Sequence, residues 1–254
     1  MKRDFNITEQ SGKKVLDIYL YGDIEGDSYD WWGEKIISTT SCKYVCKAIA
    51  QAENPDEINV FINSFGGSVK EGTAIYNQLK RNKAYVTAYV DGFAYSVASI
   101  IAMAADKIIM PSNTSMFLHN AMWGVYGNSN DLRKSADDLD VLNEASHNSY
   151  LVKAGDKLTK ERLTQLCDEE TFLSAEQALE LGLCDEVVDP VDMSESREVV
   201  EKVITNPKQK TDIDKKAVAK AIEVISSETP KKHDSSKELD GFEWLKEAFK
   251  NTKF

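Results

Sequence analysis

Histidine, cysteine and long apolar runs are all scarce in this sequence, and each scarcity narrows what the chain can do. There are three histidines in 254 residues, His119, His147 and His233, so few side chains are available as a general base near neutral pH. There are four cysteines. Cys42 and Cys46 stand i,i+4 and share a helix face, but no second pair completes a zinc-like spacing, and Cys167 and Cys184 stand alone. Reduced, partly buried thiols are expected, with no metal and no cofactor. The most apolar window, residues 97–105, is too short to span a bilayer. The charged start, residues 1–9, has no apolar stretch behind it, so neither a signal peptide nor a membrane partner is expected and a cytoplasmic location is. Positive charge is in deficit too: 31 Lys and Arg stand against 42 Asp and Glu, a net charge of -11. The whole excess lies in residues 1–190, because 191–254 carry 13 of each sign. Such a balance disfavours nucleic acid as a partner.

What is present is a hydrophobic content of 42%, enough for one substantial core. Residues 15–21, 58–62, 84–90, 107–110, 115–118 and 186–188 read as strands. Helices are expected over 38–53, 69–81, 96–105, 131–154, 163–167 and 175–181. In the long helix Leu132, Leu139, Leu142 and Ala145 are the expected apolar positions. Strands alternating with helices predict an α/β fold with a largely parallel sheet, whose active groups lie where strands hand over to helices. After Pro190 the texture becomes polar. The expected organisation is a body over 1–190, a charged linker with a short helix over 191–240, and an amphipathic helix over 241–254 that docks on its own body or on a partner.

Two glycine-containing handovers carry the chemistry. One is Asn63-Ser64-Phe65-Gly66-Gly67-Ser68-Val69, the other Gly92-Phe93-Ala94-Tyr95-Ser96-Val97-Ala98. Acyl transfer needs an activated hydroxyl and amide donors for an oxyanion. Ser96 falls at a helix N-terminus, where a serine is either a simple cap or a nucleophile favoured by the local dipole. The Val97 amide is one expected oxyanion donor, and Gly66 the second, because glycine lets the backbone approach a substrate closely. His119 ends an apolar strand and is the expected base; His147, inside the long helix, and His233, in the linker, read as solvated. The segment around Ser96 does not fit the Gly-x-Ser-x-Gly elbow of α/β-hydrolases.

Residues 12–190 resemble the proteolytic subunit of the Clp protease family. The Ile62-Asn-Ser-Phe-Gly-Gly-Ser-Val69 segment is similar to that family's Asn-Ser-Pro-Gly-Gly segment. Gly92-Phe-Ala-Tyr-Ser96 resembles its nucleophile segment, Phe117-Leu-His119 its histidine segment, and Phe172-Leu-Ser-Ala175 with residues 182–186 its closing helix and strand. The resemblance implies a crotonase-like fold of repeated β-β-α units with a protruding long handle helix, homo-oligomeric rings, and a protein or peptide substrate. It implies Ser96 as nucleophile, His119 as base, Gly66 and Val97 as oxyanion donors, and the edge at residues 67–69, with Gly67, as the substrate-binding strand. Glu170, two residues before Phe172, takes the position of the family's aspartate, with Asp168 as the alternative.

Some positions depart from the family pattern. Phe65 replaces a proline, and Asn120-Ala-Met-Trp replaces Gln-Pro. With the charged C-terminal extension, these resemble the Clp-related head maturation proteases of tailed bacteriophages, which cleave scaffold and capsid proteins. The alternatives are a housekeeping subunit working with an ATPase, a crotonase-like enzyme acting on CoA thioesters, and a non-catalytic ring subunit. Ser96 in register with His119 argues against the CoA enzyme.

Overall fold

A computed structural model of the protein describes residues 5–189. The expected linker helix and C-terminal amphipathic helix lie outside the described residues. In chain order the elements are β1 (Phe5–Gln10), β2 (Lys13–Tyr21), β3 (Ser28–Tyr29), β4 (Lys35–Ile36), α1 (Cys42–Ala52), β5 (Glu57–Ser64), α2 (Val69–Lys80), β6 (Tyr85–Tyr95), α3 (Val97–Ala102), β7 (Lys107–Pro111), β8 (Ser115–Leu118), α4 (Ser129–Ala154), α5 (Lys160–Asp168), β9 (Thr171–Ser174), α6 (Ala175–Glu180) and β10 (Glu186–Val188). A 3-10 turn, Gly155–Lys157, separates α4 from α5.

The main sheet runs β1-β2-β5-β6-β7-β10, with β8 joining β6 and β9 joining β8. Its centre is parallel, and β1 and β9 close it by antiparallel pairing. The β1–β2 hairpin was not anticipated. Its two-residue turn has Ser11 at φ 52° and Gly12 at φ 79°, the conformation whose twist matches that of the strands.

Alternation along the central strands decides which face is buried. Leu16, Ile18 and Leu20 of β2, Ile58, Val60 and Ile62 of β5, and Val86, Ala88 and Val90 of β6 are buried in one continuous core with residues of α1, α2 and α3. The opposite face carries an aromatic row, Tyr19, Phe61 and Tyr89, stacked at 4.8 and 5.0 Å between centroids. Asp17 and Asn59 lie on that face, joined by an Nδ2–H···Oδ1 bond of 2.8 Å.

The bend that makes the site is in β6. The strand was expected to end at residue 90, but it continues through Gly92 to Tyr95. Its pairing with β5 jumps from Ile62↔Val90 to Ser64↔Ala94, so Asp91, Gly92 and Phe93 lie opposite Asn63 alone. A Cβ on Gly92 would stand 2.6 Å from Asn63 Oδ1, and that oxygen accepts the Phe93 N–H at 3.3 Å. Glycine is therefore needed for the bulge. Before the bulge β6 pairs with β7; after it, Phe93, Ala94 and Tyr95 pair with β8. The deflected strand delivers Ser96 beside the end of β8.

Helix α4 has 26 residues and begins with a capping box between Asn128 and Asp131. The expected apolar stripe does not describe it: Leu132 and Ala145 are exposed, Leu139 and Leu142 half-buried, and its buried positions are Ser135, His147, Tyr150 and Ala154. Among the described residues no helix is long and apolar enough to cross a membrane.

Candidate active site

Ser96 stands between β6 and α3 with φ 53° and ψ -131°, a combination that costs a residue bearing a Cβ about 1–3 kcal/mol. Three bonds hold it there. Its N–H donates to Phe117 O at 2.8 Å, and its carbonyl accepts the Ser99 N–H at 3.0 Å and the Ser99 hydroxyl at 2.6 Å. It makes no side-chain cap to its helix, so the simple capping role is not what occupies its hydroxyl. The Oγ instead lies 2.7 Å from His119 Nε2. Helix α3 is wholly buried and seats closely on α2: a Cβ on Gly72 would meet Val97 Cγ2 at 2.1 Å.

His119 follows β8, half-buried, with its ring stacked on Phe117 at 5.2 Å and 23°. Its Nδ1 is buried and has no hydrogen-bond partner. The expected acid, Glu170, is exposed at φ 50° in the turn between α5 and β9, with its N–H donated to Cys167 O. Asp168 is exposed as well, and its Oδ1 accepts from Asn120 Nδ2 at 2.7 Å. The structure thus brings Ser96 and His119 together and joins neither carboxylate to the imidazole.

The Gly-Gly turn is demanded sterically at both positions. Gly66 has φ 98°, and a Cβ there would stand 2.7 Å from Ser96 Cβ and 2.8 Å from Tyr95 O; Gly67 has φ 140° and would meet Ile24 O at 2.4 Å. The expectation that Gly66 supplies an oxyanion amide needs correction, because its N–H donates to Ser64 Oγ at 3.0 Å. Ile24 pairs with one side of the turn, donating to Gly66 O and accepting from Ser68 N, each at 2.7 Å. The Gly67 amide faces the other way in such a ladder. Among the described residues no hydrogen bond engages the amides of Gly67 or Val97. The edge at residues 67–69 is accordingly taken by Ile24 on one side only.

A pocket opens beside Ser96 and His119, walled by Val97 and Ile100 and floored by Asn143, Ser146, His147 and Tyr150 of α4. His147 corrects the sequence reading, which had it solvated: it is only 7% exposed. Burial holds its imidazole below the usual histidine range against the pull of Asp168. Asn143, Ser146 and Tyr150 go unnamed in the sequence reading, although with His147 their spacing of i, i+3, i+4 and i+7 marks one helix face. The segment after His119 is tied to α4 by Ala121 N–H to Asn143 Oδ1 at 2.8 Å and Trp123 Nε1–H to Ser135 Oγ at 2.6 Å. All four cysteines are free, with burial pushing the thiols of Cys167 and Cys184 up to about 12 and about 11.

A family model described as Clp protease matches residues 33–191. The chain is 30% identical over 188 residues to an ATP-dependent Clp protease proteolytic subunit of Deinococcus radiodurans, covering 72% of this chain and 91% of that protein. It is 28% identical over 187 residues to an ATP-dependent Clp protease proteolytic subunit 2 of Parasynechococcus marenigrum, covering 72% and 94%. A subunit of the same description from a Synechococcus species is 27% identical over 187 residues, with the same coverage.

Proposed function

Within the Clp protease family, to which this chain belongs, we propose that this serine endopeptidase uses Ser96 as nucleophile and acts as a phage head maturation protease on scaffold and capsid proteins. The observation that supports the catalytic assignment is the 2.7 Å contact between Ser96 Oγ and His119 Nε2, made by a serine in a left-handed conformation. The hydroxyl attacks the scissile carbonyl as Nε2 takes its proton; Nε2 then gives that proton to the departing amine, and water repeats the cycle on the acyl-enzyme. The amides of Gly67 and Val97 receive the oxyanion, while Gly66 provides the close approach behind Ser96. An extended substrate adds along residues 67–69 on the side that Ile24 leaves open.

Glu170 is assigned as the acid that orients His119, with Asp168 as the alternative. His119 Nδ1 makes no hydrogen bond here, so the acid acts once its carboxylate comes within hydrogen-bond reach of that nitrogen. The head maturation role is supported by Phe65, by the Asn120-Ala-Met-Trp segment, and by the 63 residues that follow the family match. The relatives' description as subunits of an ATP-dependent protease favours a second reading, a housekeeping subunit. Incubation with a tailed-phage capsid precursor and its scaffold, without nucleotide or unfoldase, separates the two. Discrete truncated products from wild type and none from Ser96→Ala are expected. Products that appear only with a Clp ATPase and ATP would favour the housekeeping role.

A further inference from the structure

The pocket beside Ser96 contains hydrogen-bonding groups with nothing to bond. His147 Nε2 is buried and has no partner. Asn143 uses Oδ1 to accept the Ala121 N–H, and no hydrogen bond engages its Nδ2 among the described residues. Tyr150 differs: the Ser99 hydroxyl donates its one hydrogen to Ser96 O, so Tyr150 must donate its own to Ser99 Oγ at 2.7 Å. The tyrosine is thus committed to holding the nucleophile loop, and the unspent groups of the floor are the Asn143 amide N–H pair, the Ser146 hydroxyl and an imidazole nitrogen of His147. Burying such groups against an aliphatic side chain leaves them desolvated and unpaired, which is unfavourable.

We propose that His147 and Asn143 select a side-chain amide, Gln or Asn, on the residue that supplies the scissile carbonyl. This rests on the serine peptidase reading above and adds its specificity. The pocket adjoins both Ser96 and the Val97 amide, which is where the side chain of an attacked residue must go. The amide carbonyl accepts from Asn143 Nδ2–H. The amide as a whole bonds His147 Nε2 in either tautomer, because it offers both a donor and an acceptor. A carboxylate fits less well: it would be desolvated beside an imidazole that burial keeps neutral. Leu or Met would leave the Asn143 amide and the His147 nitrogen unpaired.

The test uses the full-length protein and fluorogenic peptides that differ only at that residue, carrying Gln, Asn, Leu, Met or Glu. Wild type is expected to cleave the Gln and Asn peptides with kcat/KM roughly 10- to 100-fold above the Leu and Met peptides. His147→Leu is expected to reverse the Gln:Leu ratio, and His147→Gln to retain it. The ratio is read within each variant, so a general loss of rate does not imitate a change of preference, and the wild-type panel needs no variant to fold. A wild type that prefers Leu, Met or Glu would overturn the proposal, as would an unchanged ratio in His147→Leu. Fluorophosphonate labelling of wild type at Ser96 keeps the two readings apart: labelled protein with the wrong preference refutes the specificity alone, and absence of the adduct refutes the nucleophile assignment on which it rests.

Discussion

Gly66→Ala isolates how closely the Gly-Gly turn is fitted to Ser96. Two glycines share a left-handed backbone but differ in surroundings. Gly22 has φ 92° with nothing within 4 Å of an added Cβ; Gly66 has φ 98° with Ser96 Cβ at 2.7 Å, Tyr95 O at 2.8 Å and Ser96 Oγ at 3.2 Å. Gly22→Ala therefore reports backbone strain alone, about 1–2 kcal/mol. Gly66→Ala adds an overpacking cost of about 1–3 kcal/mol, because two of the three contacts are closer than real Cβ atoms tolerate and one of them is backbone. Relief requires Ser96 or the turn to shift by several tenths of an ångström. The 2.7 Å contact to His119 cannot survive that unaltered, so the rate should fall about 100-fold. Urea denaturation of both variants, with the fluorophosphonate labelling rate measured on each, checks the reasoning. Equal stabilities and equal labelling rates for the two variants would refute it.

Other consequences are independent of that turn. Ser99→Ala removes both the acceptor of Tyr150 and a bond that holds the Ser96 carbonyl; it should cost about 1–3 kcal/mol in thermal denaturation and slow labelling, whereas Tyr150→Phe should cost about 1 kcal/mol. Asp17→Asn should stabilise at pH 7, because burial raises the folded-state pKa of this carboxyl and ionising it costs stability. That gain is full above the raised folded pKa and vanishes as pH falls below the unfolded value near 3.8, so a difference that persists at pH 3 in denaturation curves would contradict it. Glu170→Gln should lower kcat/KM for peptide hydrolysis far more than Asp168→Asn, and the opposite order would move the acid to Asp168.

The handovers were legible because their residue types have few other uses. A Gly-Gly pair after an apolar run marked the β5–α2 turn, and Ser96 with His119 at the ends of two such runs marked the serine–histidine pair that the fold places 2.7 Å apart. What was not legible depended on partners distant in sequence. β6 passes Gly92 because Asn63, from the neighbouring strand, bonds the bulge. Gly66 loses its amide to Ser64, so the free amide belongs to Gly67. Helix α4 buries His147 and Tyr150 and leaves Leu132 exposed, which periodicity of apolar residues cannot reveal when the buried stripe is polar. The acid is the residue that sequence and structure leave apart: Glu170 matches by position, while His119 Nδ1 makes no hydrogen bond.

The central claim is that Ser96 is an activated nucleophile, and intact-mass analysis after fluorophosphonate treatment tests it most directly. Wild type and Ser99→Ala, at high protein concentration, should each acquire a single adduct, more slowly in Ser99→Ala, and Ser96→Ala should acquire none. An adduct that persists in Ser96→Ala, or folded wild type that acquires none, would contradict it.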